Sequence, residues 1–374
     1  MKHAGRWMCV VLAAAAAMLS SGTSCAPPVP INPFTDLPPV PIDGVERTAT
    51  NDILPLGFLD AGRVLRIEAH GSGLIGVLIL AEDDQTDAVG RLAGGGPVGE
   101  AFQYRINVPA RYFVHLQFDP TAGARSARVT IGDGDPDFSP PSRQIVQVLF
   151  APDYLTNPGL FDPVDMTPDD AAFLVSISDQ VRDGILAELH RIFEGTPIVI
   201  IGPDETPPAE PFSTITFLPD RVLAADQDAV DAALPPFDGS RPECQVRVTF
   251  GEVLPSGRVA DPGNHTLDDA AVVYVGSFQG RGENCWSSTI NSVNNIVLSL
   301  AQTAAHEIGH LVGLFHVEQT DIMNRSATIA FQRELDMLRG QIQVDRLIGG
   351  QVQSEVSTIL IQDPAFYFQA IFAP

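Results

Sequence analysis

The eleven residues HEIGHLVGLFH, at positions 306 to 316, constrain this chain more than any other stretch. The chain contains 8 histidines among 374 residues, and His306, His310 and His316 all lie in this segment. On an α-helix His306 and His310 lie on one face, one turn apart, so both can direct a ring nitrogen at a single metal ion. The segment therefore predicts a helix that carries two metal ligands.

The residues between and after these histidines extend the same interpretation. Gly313 comes three residues after His310, where a left-handed turn would end the helix and let His316 return as a third ligand. Glu307 is next to the first ligand, and in helices of the H-E-x-x-H type this Glu is the general base. Met323 follows in the short stretch TDIMN. We expect one zinc ion at this site.

This arrangement resembles the signature of the metzincin metallopeptidases, H-E-x-x-H-x-x-G-x-x-H followed by a Met-turn. The short gap before the methionine is most similar to matrixin-type members and their bacterial relatives. The resemblance implies zinc-dependent hydrolysis of peptide bonds, with the methionine as an apolar support beneath the ligands. The residues that match the fixed positions are His306, Glu307, His310, Gly313, His316 and Met323.

Two departures limit the resemblance. Val317 follows the third histidine where matrixins typically have Ser, and His265 has no partners for a second, structural zinc. Two other functions remain open: a non-enzymatic surface adhesin with a vestigial zinc site, and an amidase that acts on envelope peptides. Glu307 argues against the adhesin, because a vestigial site would not need the general base.

The N-terminus predicts export. Residues 1–24 have a charged start and a short apolar core, as in a secretory signal peptide. The following SGTSC resembles a bacterial lipobox and makes Cys25 the candidate lipidation site; ordinary cleavage and secretion is the alternative. A proline-rich tether at 25–44 would then separate the folded part from the cell envelope.

The remaining cysteines predict a disulfide. Of 4 cysteines, Cys9 leaves with the signal peptide and Cys25 is the lipid site. Cys244 and Cys285 are then a natural pair in an oxidising compartment.

The charge of the chain restricts its partners. The formal net charge is −24, which repels nucleic acid and anionic membranes, so a membrane contact is expected only through the N-terminal lipid. Such an acidic surface also makes Ca²⁺ a second candidate ion. We expect a monomer that acts on protein or peptide substrates.

The pattern along the chain predicts an α+β protein. Short β-rich runs separated by turn clusters, AGGGP among them, favour a small all-β sandwich at 45–133, followed by a linker at 134–143. Residues 144–374 fit a metzincin-like domain with a mixed, mostly parallel sheet and two long helices. We also expect a C-terminal helix over 329–347 and an apolar tail that packs on the core.

Overall fold

The structure, a computed structural model, shows an α+β protein with a mostly-β N-terminal part. The described residues contain three helices and three sheets, two of them mixed. None of these helices combines the length and the apolar composition that a membrane span requires. The structure describes residues 34, 36–85, 90–119, 125–155, 168–218, 251–254, 260–275, 292–318, 321–323, 336–348 and 351–374.

The N-terminal part consists of two packed β-sheets, as the sequence predicts. The first sheet is antiparallel and has the strand order β1-β8-β3-β6. The second contains the order β5-β4-β7-β2, also antiparallel. The strands are β1 Glu46–Ala49, β2 Ile53–Leu59, β3 Val64–His70, β4 Leu74–Glu82, β5 Gly90–Gly96, β6 Phe102–Arg105, β7 Ala110–Phe118 and β8 Ala127–Asp133.

One prediction in this region is wrong, because the glycine cluster AGGGP forms most of strand β5 rather than a turn. These glycines do not reverse the chain; they allow aromatic rings of the neighbouring strand β6 to approach the backbone of β5 closely. A Cβ atom on Gly94 would collide with the ring of Tyr104, and one on Gly96 would collide with the ring of Phe102. Glycine in a strand is typical of such a contact.

The second half begins with a β-α-β unit whose two strands are parallel, as predicted. Strand β9 pairs in parallel with β10 and β11, and β11 with β13. Strand β12 pairs antiparallel with β13 and forms one edge, giving the order β10-β9-β11-β13-β12. The elements are β9 Gln144–Phe150, α1 Pro168–Ile192, β10 Ile198–Ile201, β11 Ser213–Leu218, β12 Gly251–Leu254, β13 Ala270–Tyr274 and α2 Val293–Leu311.

The C-terminal segment differs from its prediction. Residues Gly340–Ile348 form strand β14, so the helix expected over 329–347 is wrong there; residues 324–335 lie outside the described part. Ile342, Val344 and Ile348 occupy alternate positions, a period of two that fits a strand once a partner is available. That partner is β15, Gln351–Gln362, which pairs antiparallel with β14.

The apolar tail packs on the core, as predicted. Strand β15 joins the second sandwich sheet by pairing in parallel with β5, through Leu360 opposite Gly90 and Ile361 opposite Arg91. Helix α3, Pro364–Ile371, then places Tyr367 in the core. The second sandwich sheet is therefore six-stranded, β14-β15-β5-β4-β7-β2.

The central strands of the six-stranded sheet are buried on both faces. In β4, Val77 and Ile79 face the core between the two sandwich sheets. Leu78 and Leu80 face the core that also contains helix α2. The proposed domains at 45–133 and 144–374 thus share one sheet in space, although the chain between β8 and β9 is irregular at 134–143, where the linker was expected.

The described end of the proline-rich tether belongs to the fold. Phe34 is buried with its ring edge against Phe113, at 4.9 Å between ring centroids. The backbone N–H of Val40 donates to the carbonyl of Pro55. A free spacer can therefore lie only before residue 34, and those residues are outside the described part of the chain.

Candidate metal centre

Helix α2 presents the first two histidines on one face. The helix starts after Ser292, whose hydroxyl oxygen accepts the N–H of Asn295 at 3.2 Å. Its last two turns are almost fully buried. Within them the Nε2 atoms of His306 and His310 are 3.1 Å apart.

Gly313 ends this helix and reverses the chain. Its φ is +95°, in the region that favours glycine. The N–H of Gly313 donates to the carbonyl of His310, and the N–H of Leu314 donates to that of Gly309. These two bonds form a Schellman motif, which is how many helices end on a glycine.

The chain then returns His316 to the other two histidines. Its Nε2 atom lies 3.2 Å from Nε2 of His306 and 3.2 Å from Nε2 of His310. Tetrahedral ligand atoms about 2.0–2.1 Å from a zinc ion are about 3.3–3.4 Å apart. The three nitrogen atoms thus have the spacing of three ligands of one ion, and this group can hold a metal.

The hydrogen bonds at the far side of two rings fix which nitrogen faces the centre. Nδ1 of His306 is 2.6 Å from the carbonyl oxygen of Ile322, and Nδ1 of His310 is 2.7 Å from that of Leu314. A carbonyl oxygen only accepts, so each Nδ1 carries the hydrogen and each Nε2 presents a lone pair. Lone pairs this close repel one another unless a cation lies among them. The site therefore fits a metal ion.

The surroundings also keep these two histidines uncharged. Burial, together with the neighbouring His316, lowers the pKa of His306 to about 3. Burial is also the main reason why the pKa of His310 lies well below its usual value. Metal ligation requires neutral imidazole, so the fold holds these rings in the form that binds.

Glu307 and Met323, the other residues of the motif, are both buried near the three histidines. Glu307 follows the first ligand on α2 and is 6% exposed. Met323 is fully buried, and its sulfur lies against the backbone of Gly309. In the sequence, Gly309 lies between His306 and His310. The N–H of Val317 donates to the carbonyl of Met323 at 3.0 Å, which ties the methionine turn to the segment after His316.

Some candidate residues cannot be placed. The lipidation site Cys25 and the disulfide pair Cys244 and Cys285 lie outside the described residues. The sequence gives His265 no partners for a second zinc. In the structure, its Nε2 atom lies 2.6 Å from the carbonyl oxygen of Gly95. Asp133, the last residue of β8, accepts a hydrogen bond from Arg63, and Asp135 in the linker interacts with Gln103 and with the backbone of Asp137.

Comparison with known proteins adds no relative: no protein-family model and no curated protein matches this chain.

Proposed function

We propose that this protein is a zinc-dependent endopeptidase of the metzincin type. The observation that carries the proposal is the convergence of three histidine Nε2 atoms, within 3.1–3.2 Å of one another, beside Glu307 on the same helix. Neither part would suffice alone, because three histidines can hold a purely structural ion and an isolated Glu has no electrophile to assist.

The choice of ion follows from the ligand atoms. Imidazole nitrogens suit zinc, whereas calcium prefers six to eight oxygen ligands. We therefore propose zinc at this site and keep calcium as a hypothesis for the acidic surface. Zinc, when bound, polarises a carbonyl group and lowers the pKa of a coordinated water.

The number of ligands favours catalysis over structure. Structural zinc sites usually have four protein ligands, and catalytic sites have three. In the part of the chain that the structure describes, the ligand cluster consists of His306, His310 and His316. Three ligands leave one position for water or substrate.

Glu307 performs the proton transfers in this proposal. As general base it takes a proton from the attacking water, and as general acid it delivers that proton to the leaving amine. Such a transfer contributes about 10²–10⁴-fold to the rate. Burial of Glu307 at 6% exposure limits competition from bulk water.

A peptide substrate has a candidate binding edge in strand β12. This strand lies at the end of the described mixed sheet and contacts helix α2. An extended peptide can add to such an edge through main-chain hydrogen bonds. In the described part of the chain, this edge strand spans Gly251–Leu254.

Export remains part of the proposal and rests on the N-terminal sequence. We propose a protein of the cell envelope, held by a lipid at Cys25 or secreted after cleavage, that acts as a monomer on protein substrates outside the cytoplasm. Labelling with a radioactive fatty acid, with Cys25→Ala as the control, separates the two routes.

The main test compares the purified mature protein with Glu307→Gln. We expect both to bind one zinc ion and only the wild type to cleave casein, with activity lost in chelator and restored by zinc. Glu194→Gln, which changes an exposed Glu after α1, is the matched control and should retain activity. His316→Ala should lose most of the zinc.

Three outcomes would contradict the proposal or direct it elsewhere. If the wild type binds zinc and cleaves no peptide library, the adhesin alternative gains support. If it cleaves envelope peptides and leaves casein intact, the amidase alternative is favoured. If Glu307→Gln cleaves as fast as the wild type, Glu307 is not the general base.

A further inference from the structure

The segment that carries the third histidine is held by the side chain of Gln362. The N–H of Phe315 donates to Oε1 of Gln362 at 2.6 Å, and Nε2 of Gln362 donates to the carbonyl of Phe315 at 3.0 Å. Gln362 is fully buried at the end of strand β15. The side chain of Gln362 thus forms hydrogen bonds with both the N–H and the carbonyl group of Phe315, the residue before His316.

The residues after Phe315 pair with the other strand of the same hairpin. The carbonyl of His316 accepts the N–H of Gln343 at 2.8 Å, and the N–H of Glu318 donates to the carbonyl of Gln341 at 3.1 Å. Val317 forms an antiparallel bridge with Ile342. The β14–β15 hairpin therefore contacts the segment 315–318 along its whole length.

The hairpin is in turn attached to the sandwich. Besides the pairing of β15 with β5, Arg339 at the start of β14 forms ion pairs with Asp83 at 2.5 Å and Asp84 at 3.3 Å. The side chain of Asp83 is fully buried. Arg91 of β5 lies over the ring of Phe366 in α3. Of these ion pairs, the one to Asp83 matters most, because its loss would leave a buried carboxylate uncompensated, whereas Asp84 is exposed and its pair contributes little.

We infer that Gln362 is a positioning residue for the third metal ligand, and that the C-terminal hairpin attached to the sandwich sets the affinity of the metal site. The inference rests on the three-histidine site of the proposed function and does not require peptidase activity.

The physical reason is the difference between the three ligands. His306 and His310 are fixed by the backbone of a buried helix, whereas His316 lies beyond its end on a segment without regular structure of its own. Without Gln362, this segment would have two unpaired, partly buried backbone groups and more conformations to lose on binding. Residues that orient metal ligands indirectly typically change metal affinity by about 10–100-fold.

The test is a cobalt titration of the metal-free full chain. Gln362→Met removes both hydrogen bonds and approximately keeps the volume. We expect it to bind Co²⁺ about tenfold more weakly than the wild type, with a changed visible spectrum because the ligand field is altered. Gln147→Met is the matched control: Gln147 is a buried strand glutamine whose amide donates to the carbonyl of Glu205. It should bind Co²⁺ like the wild type.

Several results would overturn the inference. One is a folded Gln362→Met, by circular dichroism, with wild-type cobalt affinity and spectrum. If that variant does not fold, hydrogen exchange of the metal-free wild type decides. The Phe315 amide should be protected by its hydrogen bond to Gln362, and exchange at the rate of an exposed loop would refute the inference. A wild type that binds no cobalt overturns the site and the inference together. Weakened binding in Gln362→Met supports the inference even if the wild type cleaves no peptide.

Discussion

At the scale of single residues, Gly313 has two separate requirements. Its φ of +95° disfavours any side chain, and a Cβ atom there would collide with the carbonyl oxygen of Asp261 and the hydroxyl of Tyr367. Tyr367 donates to the carbonyl of Val312 and accepts the N–H of Gly263. Gly313 is therefore also the place where helix α3 meets the end of helix α2.

Gly313→Ala should destabilise the protein by about 3 kcal/mol or more, because a left-handed strain of about 1–2 kcal/mol is added to a collision with buried atoms. Gly195→Ala is the control: Gly195 also follows a helix, has φ of +75° and has no atom within 4 Å of the added Cβ. Gly195→Ala should lower the free energy of unfolding by about 1 kcal/mol. Urea unfolding of both variants measures the difference, and equal losses would show that the collision is relieved by a small shift.

At the scale of secondary-structure elements, a buried polar network joins the starts of three parallel strands. The amide of Gln144 in β9 donates to the hydroxyl of Ser213 in β11 and to the carbonyl of Leu267. The Ser213 hydroxyl donates to the carboxyl of Asp269, the residue before β13. This network links the N-terminal ends of the parallel strands that support α2.

Asp269 should make the stability depend on pH. Burial raises its pKa to about 7, whereas an unfolded Asp has a pKa of about 3.9. Between about pH 4 and 7 the folded state therefore binds more protons than the unfolded state, and the stability that Asp269 contributes falls as pH rises through this window. Above about pH 7 both states are ionised and the effect levels off.

Asp269→Asn cannot ionise, so its free energy of unfolding relative to the wild type should increase by about 1–3 kcal/mol from pH 4.5 to 7.5. Urea titrations at several pH values measure this difference. Asp204→Asn, at an exposed position that is not among the charges acting on Asp269, is the control and should show no such trend. A difference for Asp269→Asn that stays constant across the window would mean that the folded carboxyl is already ionised at pH 4.5.

The elements differ in how far local sequence predicts them. Helix α2 and the parallel strands β9 and β10 have strong local signals, an amphipathic pattern and continuous apolar runs, and the structure contains them. Strand β5 and strand β14 were assigned wrongly because their conformation depends on partners distant in sequence. Gly94 and Gly96 accommodate the rings of β6, and β14 exists as a strand because β15 pairs with it.

At the scale of the whole molecule, the sandwich and the half that contains the three histidines share a sheet. Strand β15 completes the sandwich sheet, and Leu92 and Phe113 of that sheet belong to the same core as Leu311 and Met323. The long apolar run of β4, LIGVLILAE, already indicated a strand covered on both faces, because continuous apolar sequence is typical of such strands.

A chain from which the sandwich is deleted, residues 134–374 alone, should therefore not fold into a compact domain. Strand β15 would keep β14 but lose its pairing with β5, and the apolar core around α2 would lose one wall. We expect aggregation or binding of a hydrophobic dye, with no cobalt binding. A chain that starts at residue 34 retains Phe34 and is the control. If the isolated 134–374 chain is monomeric and binds cobalt, the sandwich is an independent module after all.

The sequence alone determined which three histidines converge, because helical spacing and a glycine turn are local properties. Zinc as the ion and Glu307 as the base remain proposals that follow from the same motif. Only the tertiary structure showed how His316 is held: by Gln362 and a C-terminal hairpin attached to the N-terminal sandwich. Contacts between residues so far apart in the chain depend on the packing of sheets, and no short stretch of sequence contains that information.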